Sequence, residues 1–194
     1  TFCLTVLDVN AAFLYASLPK DEPPVTVSPP GLLKRLGLAG QTELWVLRKA
    51  LYGLRVSPKC WTKTRNDTVR GVEVQLPDGK ACVFQPADSQ EHAWVLVCDS
   101  GGIVGYALFY VDDILLAAHA ANLVAIRNAV KLIWKVKDQG TLLNPADKSY
   151  TDEAKMSLNV QSELGFLGMR LGFNAAGNLE CHQCPYIRSC LKER

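Results

Sequence analysis

The sequence predicts an α+β fold, an antiparallel sheet with helices packed on one face, and three observations carry that prediction. "AWVLVCD" (93–99) and "IVGYALFYV" (103–111) are strand-like runs joined by "SGG", the pattern of a β-hairpin, and "ILLAA" (114–118) continues as a further strand. "NLVAIRNAVKLIWKVK" (122–137) sets Leu123, Ile126, Val130, Ile133 and Trp134 on one helical stripe, with Arg127, Lys131 and Lys135 off it. Strands and helices alternate without the regular βαβ period of a doubly wound sheet.

Taken in order, "CLTVLDV" (3–9) is a β-branched run that reads as a strand reaching Asp8. "NAAFLYASL" (10–18) contains helix formers behind Asn10, a candidate cap, and "PKDEPPVTVSPPG" (19–31) then breaks regular structure. "ELWVLRKALYGL" (43–54) reads as two short extended pieces, with Gly53 free to take an unusual backbone angle. "SPKCWTKTRNDTVRG" (57–71) opens on Ser57 as cap and Pro58 at the first helical position, and Gly71 is its expected stop. Residues 141–162 are polar and aperiodic and are expected to form an inserted loop. "LGFLGMRLGF" (164–173) is a strand pair punctuated by Gly165, Gly168 and Gly172.

The 194 residues suggest one domain, or one and a fraction, and 48% hydrophobic with 21% charged content is ordinary for a globular protein. No apolar run approaches the roughly 20 residues of a membrane helix, so no membrane partner is expected. The first residues lack a basic segment and a small-residue cleavage site, and the chain opens inside a strand without Met. It is expected to be a fragment of a longer protein rather than one with a secretory leader. Seven scattered cysteines, with Cys3, Cys82 and Cys98 inside apolar runs, fit buried thiols in a reducing, intracellular compartment. Net charge is only +2, yet seven Lys and Arg between Arg48 and Arg70 face the single acid Asp67. Such a cluster suits a polyanion and equally suits a solvated helix face.

Asp112 and Asp113 are the anomaly, because they interrupt the apolar run "ALFYVDDILLAA". Buried carboxylates are costly without a cationic partner. If the first strand neighbours this hairpin, Asp8 joins them, and such close like charges call for raised pKa values or a bound cation. Carboxylate oxygens suit Mg²⁺ or Mn²⁺, and two such ions can clamp an in-line phosphoryl displacement. Asp is also an ordinary turn residue, so the dipeptide alone leaves both readings open.

"FYVDDILLA" resembles the Y-x-D-D motif of reverse transcriptases, in the Y-V-D-D-I/L form of copia-type (Ty1-like) retrotransposons. "LDVNAAFL" (7–14) is similar to that family's D-V-x-x-A-F-L, and "KALYGLRVSPKCW" (49–61) to its K-x-L-Y-G-L-K-Q-S-P-R-x-W. "WKVKDQG" (134–140), "LGFLGMRL" (164–171) and "LECHQCPYIRSCL" (179–191) resemble later segments in the same order. The resemblance implies a reverse-transcriptase palm over residues 1–175 with part of the fingers, and the start of a thumb or connection segment over 176–194. It implies RNA-directed DNA synthesis with two Mg²⁺ (or Mn²⁺), dNTPs and a primed RNA or DNA template. RNase H and integrase would accompany it in a polyprotein. Asp8, Asp112 and Asp113 would then be the catalytic, metal-binding acids. Phe13 would exclude a ribose 2′-OH, and Tyr52 and Gly53 would floor the nucleotide site. Tyr110, Arg55, Lys59 and Lys63 would meet nucleic acid, and Lys135 or Lys137 falls where the family carries a lysine beside pyrophosphate.

Departures stand beside this resemblance: "AFLYASL" replaces A-F-L-N-G-x-L, Val56 replaces Gln, and 141–162 has little counterpart. They leave open a degenerate, inactive fragment that at most binds nucleic acid. "VGYALFYV" (104–111) also partly matches the RNP1 pattern of RNA-binding sheets, through Tyr106 and Tyr110. Cys181, His182, Cys184 and Cys190 are zinc-ligand types, although no second C-x-x-C pair accompanies them.

Overall fold

The computed structural model describes residues 2–21, 23–87, 91–147 and 152–192. In chain order its elements are β1 (Cys3–Val9), a 3₁₀ turn (Ala12–Tyr15), β2 (Thr26–Val27), α1 (Gly31–Arg35), β3 (Trp45–Val46) and α2 (Ser57–Arg70). There follow β4 (Glu73–Gln75), β5 (Ala81–Pro86), β6 (Ala93–Cys98), β7 (Ile103–Tyr110), β8 (Asp113–Ala118) and α3 (Ala120–Ile133). The chain continues through β9 (Val136–Leu142), α4 (Asp152–Ser157), β10 (Leu164–Phe166), β11 (Met169–Phe173), β12 (Leu179–His182) and α5 (Cys184–Lys192). These group into two units, one of residues 1–10 with 68–194 and one of residues 11–67.

The larger unit holds a seven-stranded sheet in the order β4-β5-β6-β7-β8-β1-β9, its neighbours all antiparallel. Alternation along each strand sends side chains to opposite faces. Cys3, Thr5, Leu7 and Val9 of β1 fall on one face with Ile114, Leu116 and Ala118 of β8, and all are buried. Leu123, Ile126 and Val130 of α3 are buried too, and α3 packs on β1, β4 and β8. Gly105 permits this approach, since a Cβ there would meet Ala117 O at 3.0 Å and Ile126 Cδ1 at 3.3 Å. Phe109 sits among Phe84, Trp94 and Trp134, each ring centroid 6.3 Å away.

On the other face Leu4, Val6 and Leu142 form a second cluster with Leu164, Phe166 and Leu171. The last three come from a small sheet, β10-β11-β12. An antiparallel sheet with helices is compatible with the α+β reading, but the second cluster was not foreseen.

Several local expectations are corrected. The helix expected to reach residue 137 ends at Ile133, and Trp134 is already extended (φ −136°, ψ 150°). The following residues supply β9, which borders β1. Arg127 is buried rather than off the core stripe, because Asp138 of β9 reaches it at 3.3 Å and Ser157 O accepts a 2.8 Å bond from it. The segment 141–162 is not a bare loop: Thr141 and Leu142 complete β9, α4 follows, and Val160 bridges to Thr141. Residues 148–151 of that segment lie outside the described residues. "EVQ" and "ACVFQP", read only at Cys82, become β4 and β5 at the sheet's edge.

The smaller unit pairs β2 with β3 and buries Ala12, Phe13, Ala16, Ala50, Cys60 and Trp61. Asn10 does not cap a helix; Ala11 takes a left-handed conformation (φ 53°) and leads into the 3₁₀ turn. Ser57 begins α2, but its hydroxyl faces backward. It accepts from Leu51 N at 3.1 Å and donates to Leu51 O at 2.6 Å, closing the loop that carries Gly53.

Candidate active site

Three aspartates fall at one end of the large sheet because of how β1 pairs with the β7–β8 hairpin. Tyr110 and Asp113 are opposite one another, so Val111 and Asp112 form a two-residue turn. Val111 adopts φ 52°, a left-handed angle that a β-branched residue rarely takes. Strain of this kind costs roughly 1–3 kcal/mol and gathers at functional sites. Val9 N donates to Asp112 O at 2.7 Å, tying the turn to the end of β1.

Asp8 lies directly opposite Asp113 in the β1–β8 register, so their side chains share a face. The same row runs from Tyr110 through Asp113 and Asp8 to Lys137 of β9. Lys137 is exposed. A β-bulge decides that Lys137 joins this row: Val6 pairs with Gly140, but Leu7 pairs with Asp138. Gly140 makes the bulge with φ 128°, where a Cβ would also lie 3.0 Å from Leu164 Cδ2. Without that extra residue Lys137 and Asp138 would exchange faces.

Electrostatically the cluster sets like charges close together. Burial pushes the Asp113 carboxyl above its ordinary range, and the negative charges of Asp112 and Asp8 push it further. Neither Asp8 nor Asp113 forms an ion pair among the described residues. The donors are hard carboxylate oxygens, the type that suits Mg²⁺ or Mn²⁺. They are not a closed cage, since no group of three or more His, Cys, Asp or Glu converges on a metal position among the described residues. Mg²⁺ held for phosphate chemistry ordinarily takes one or two carboxylates and completes its shell with water and substrate phosphate. Beside Asp113 opens a polar recess of about 620 Å³, lined by Gln139, Gln161, Glu163 and Arg170 along with the β10–β11 turn.

The smaller unit carries the other expected site residues. Phe13 is buried on the 3₁₀ turn with its ring centroid 4.6 Å from that of exposed Tyr52. Gly53 takes φ 91°, so the freedom expected of it is used. Arg55, Lys59 and Lys63 are exposed. The basic cluster is smaller than its sequence count suggests. Arg65 is buried and donates to Asn66 Oδ1, while Lys49 Nζ donates to Tyr15 O at 3.1 Å. A cavity of about 680 Å³ in this unit, lined by Lys20, Arg48 and Lys49 among apolar residues, contains none of the carboxylates.

The chain is similar to a transposon protein. It is 27% identical over 135 residues to the Saccharomyces cerevisiae protein named "Putative transposon Ty5-1 protein". That match covers 69% of this chain and 38% of the relative, so the chain spans well under half of the protein it resembles. No protein-family model matches the chain. No solved structure matches it.

The zinc arrangement does not form among the described residues. Cys181 Sγ lies 3.4 Å from Met169 Sδ, and His182 faces Glu163 at 3.6 Å and accepts from Cys184 N. Tyr106 and Tyr110 do share one exposed face of β7, the arrangement an RNA-binding sheet would need. Sequence reasoning did not choose between Lys135 and Lys137, and it did not single out Gln139, Gln161 or Arg170. The first choice turns on register: Lys137 pairs with Asp8, whereas Lys135 precedes β9. The other three meet Asp113 through tertiary packing that leaves no local pattern.

Proposed function

We propose that this chain is the palm-centred part of a copia-type reverse transcriptase, an RNA-directed DNA polymerase that extends a primed RNA or DNA template with dNTPs. The supporting observation is the juxtaposition of Asp8 with the Asp112–Asp113 turn, inside sequence segments that resemble that family's in type and order. The similarity to a transposon protein supports the same reading. On this reading the chain works within a polyprotein that also carries RNase H and integrase.

Asp8 and Asp112 would hold the metal ions, with Asp113 as the third acid. When bound, two Mg²⁺ or Mn²⁺ ions would lower the pKa of the primer 3′-OH and neutralise the triphosphate. The chain's own side chains then position the reactants. Tyr110, beside Asp113 in the register, would approach the primer terminus. Phe13 would set its ring against the sugar, and a ring fitted to a bare C2′ leaves no room for a hydroxyl. Tyr52 and Gly53 would floor the incoming base. Arg55, Lys59 and Lys63 would contact backbone phosphates, an interaction weakened by salt. Lys137, opposite Asp8 in the register, would be the lysine placed beside the departing pyrophosphate.

Primer extension by the complete parent protein, with Mg²⁺ or Mn²⁺, tests this. Asp8→Asn and Asp112→Asn should each abolish synthesis, and normal extension by either would remove the metal assignment. Exposed Tyr106 and Tyr110 on one sheet face favour a second reading, a non-catalytic nucleic-acid-binding fragment. Filter binding of primed template by this chain, with no extension from the wild-type parent, would select it.

A further inference from the structure

Two buried cysteines at the other edge of the large sheet form a site that the polymerase reading does not use. Cys82 of β5 is directly opposite Cys98 of β6. Asp99 N donates to Ala81 O at 3.3 Å, which makes the neighbouring pair the hydrogen-bonded one. Alternation then makes Cys82 and Cys98 a non-hydrogen-bonded pair, the kind with Cα atoms about 4.5 Å apart and the closest side chains. That spacing lies within the roughly 4.4–6.8 Å that a disulfide spans. The two Sγ atoms lie 2.9 Å apart.

We propose that Cys82 and Cys98 are a reversible dithiol–disulfide site, closed by hydrogen peroxide and reopened by a thiol reductant, that clasps β5 to β6. Cys98 is 6% exposed and Cys82 fully buried, so a small peroxide meets Cys98 first. The Cys98 thiolate sulfur attacks one peroxide oxygen, the O–O bond breaks, and hydroxide leaves to give a sulfenic acid. The Cys82 sulfur then attacks that sulfur, the S–S bond forms, and the S–O bond breaks with loss of water. Two thiols and one hydrogen peroxide yield one disulfide and two waters. Burial, and then the neighbouring Cys98, push the Cys82 thiol up to about 12, so thiolate is scarce at neutral pH and closure is slow. Among the described residues, only the three-residue β4 lies outside β5, so the clasp fastens the thin edge of the sheet.

The test is native oxidation of the whole chain with hydrogen peroxide, then maleimide blocking in denaturant and a non-reducing peptide map. The expected result is a Cys82–Cys98 cross-linked peptide, together with a melting temperature raised by roughly 6–12 °C, the effect of closing a loop of about 15 residues in a chain of this size. Dithiothreitol should reverse both changes, and Cys82→Ala or Cys98→Ala should prevent them. The inference is overturned if both cysteines still take up maleimide after oxidation while exposed Cys181, Cys184 and Cys190 do not. It is also overturned if the cross-link appears only when denaturant is present during oxidation, or if it forms without raising the melting temperature. The wild-type peptide map decides the matter even if neither variant folds.

Discussion

Asp138 and Asp8 occupy neighbouring strands of one sheet, one register position apart, yet live in opposite electrostatic worlds. Asp138 faces α3, where Arg127 and Lys131 meet its Oδ2 at 3.3 and 2.8 Å. Asp8 faces the other way, where its cross-strand neighbours are Asp113 and exposed Lys137, and it forms no ion pair among the described residues. The first acid is balanced by the fold itself. The second belongs to a set whose members raise each other's cost, as the upward push on Asp113 records. On the proposed reading, a divalent cation would complete this acid cluster beside its strained turn.

The same substitution in the two sets should therefore break different things. In the complete parent, Asp112→Asn should lower extension by about 10³-fold or more, a loss of several kcal/mol of transition-state stabilisation. Its melting temperature in chelator should stay at or above wild type, because a like charge has been removed. Asp138→Asn should do the reverse, keeping extension within a few-fold while costing about 2–3 kcal/mol in a denaturant titration, since Arg127 is left buried beside a neutral partner. If both variants lost stability and activity together, the contrast between the two acids would fail.

Gly140→Ala acts through the bulge, which decides which face each charge takes. Its positive φ and the nearby Leu164 should make the substitution cost about 2–3 kcal/mol, read by the same titration. Lys137→Ala should slow extension by roughly 10²-fold, read in a single-turnover assay, with no change in melting. Val111→Gly should have the smallest effect, raising stability by about 1 kcal/mol as the left-handed turn loses its β-branched side chain.

The carboxylate hairpin was legible because its signals are local. Apolar strands on either side of a polar dipeptide mark a turn, and a β-branched run ending in Asp8 needed only to pair beside it. The partition of the other charges was not legible. Arg127 reads as a surface residue on any helical projection, and only β9, folded back against α3, brings Asp138 to it. The end of α3 was missed for a related reason, since "WKVK" continues a helical pattern and alternates like a strand equally well. The 3₁₀ turn behind Asn10 depends on a left-handed Ala11, which no propensity predicts.

We propose that the acids at the β1 end and the β7–β8 turn form a divalent-cation site while Asp138 does not. Electron paramagnetic resonance of Mn²⁺ titrated into this chain, with and without a dNTP, tests it most directly. Wild type and Asp138→Asn should bind Mn²⁺ alike, tighter with nucleotide, and Asp8→Asn or Asp112→Asn should lose at least tenfold in affinity. Equal Mn²⁺ binding by all four proteins would contradict the account.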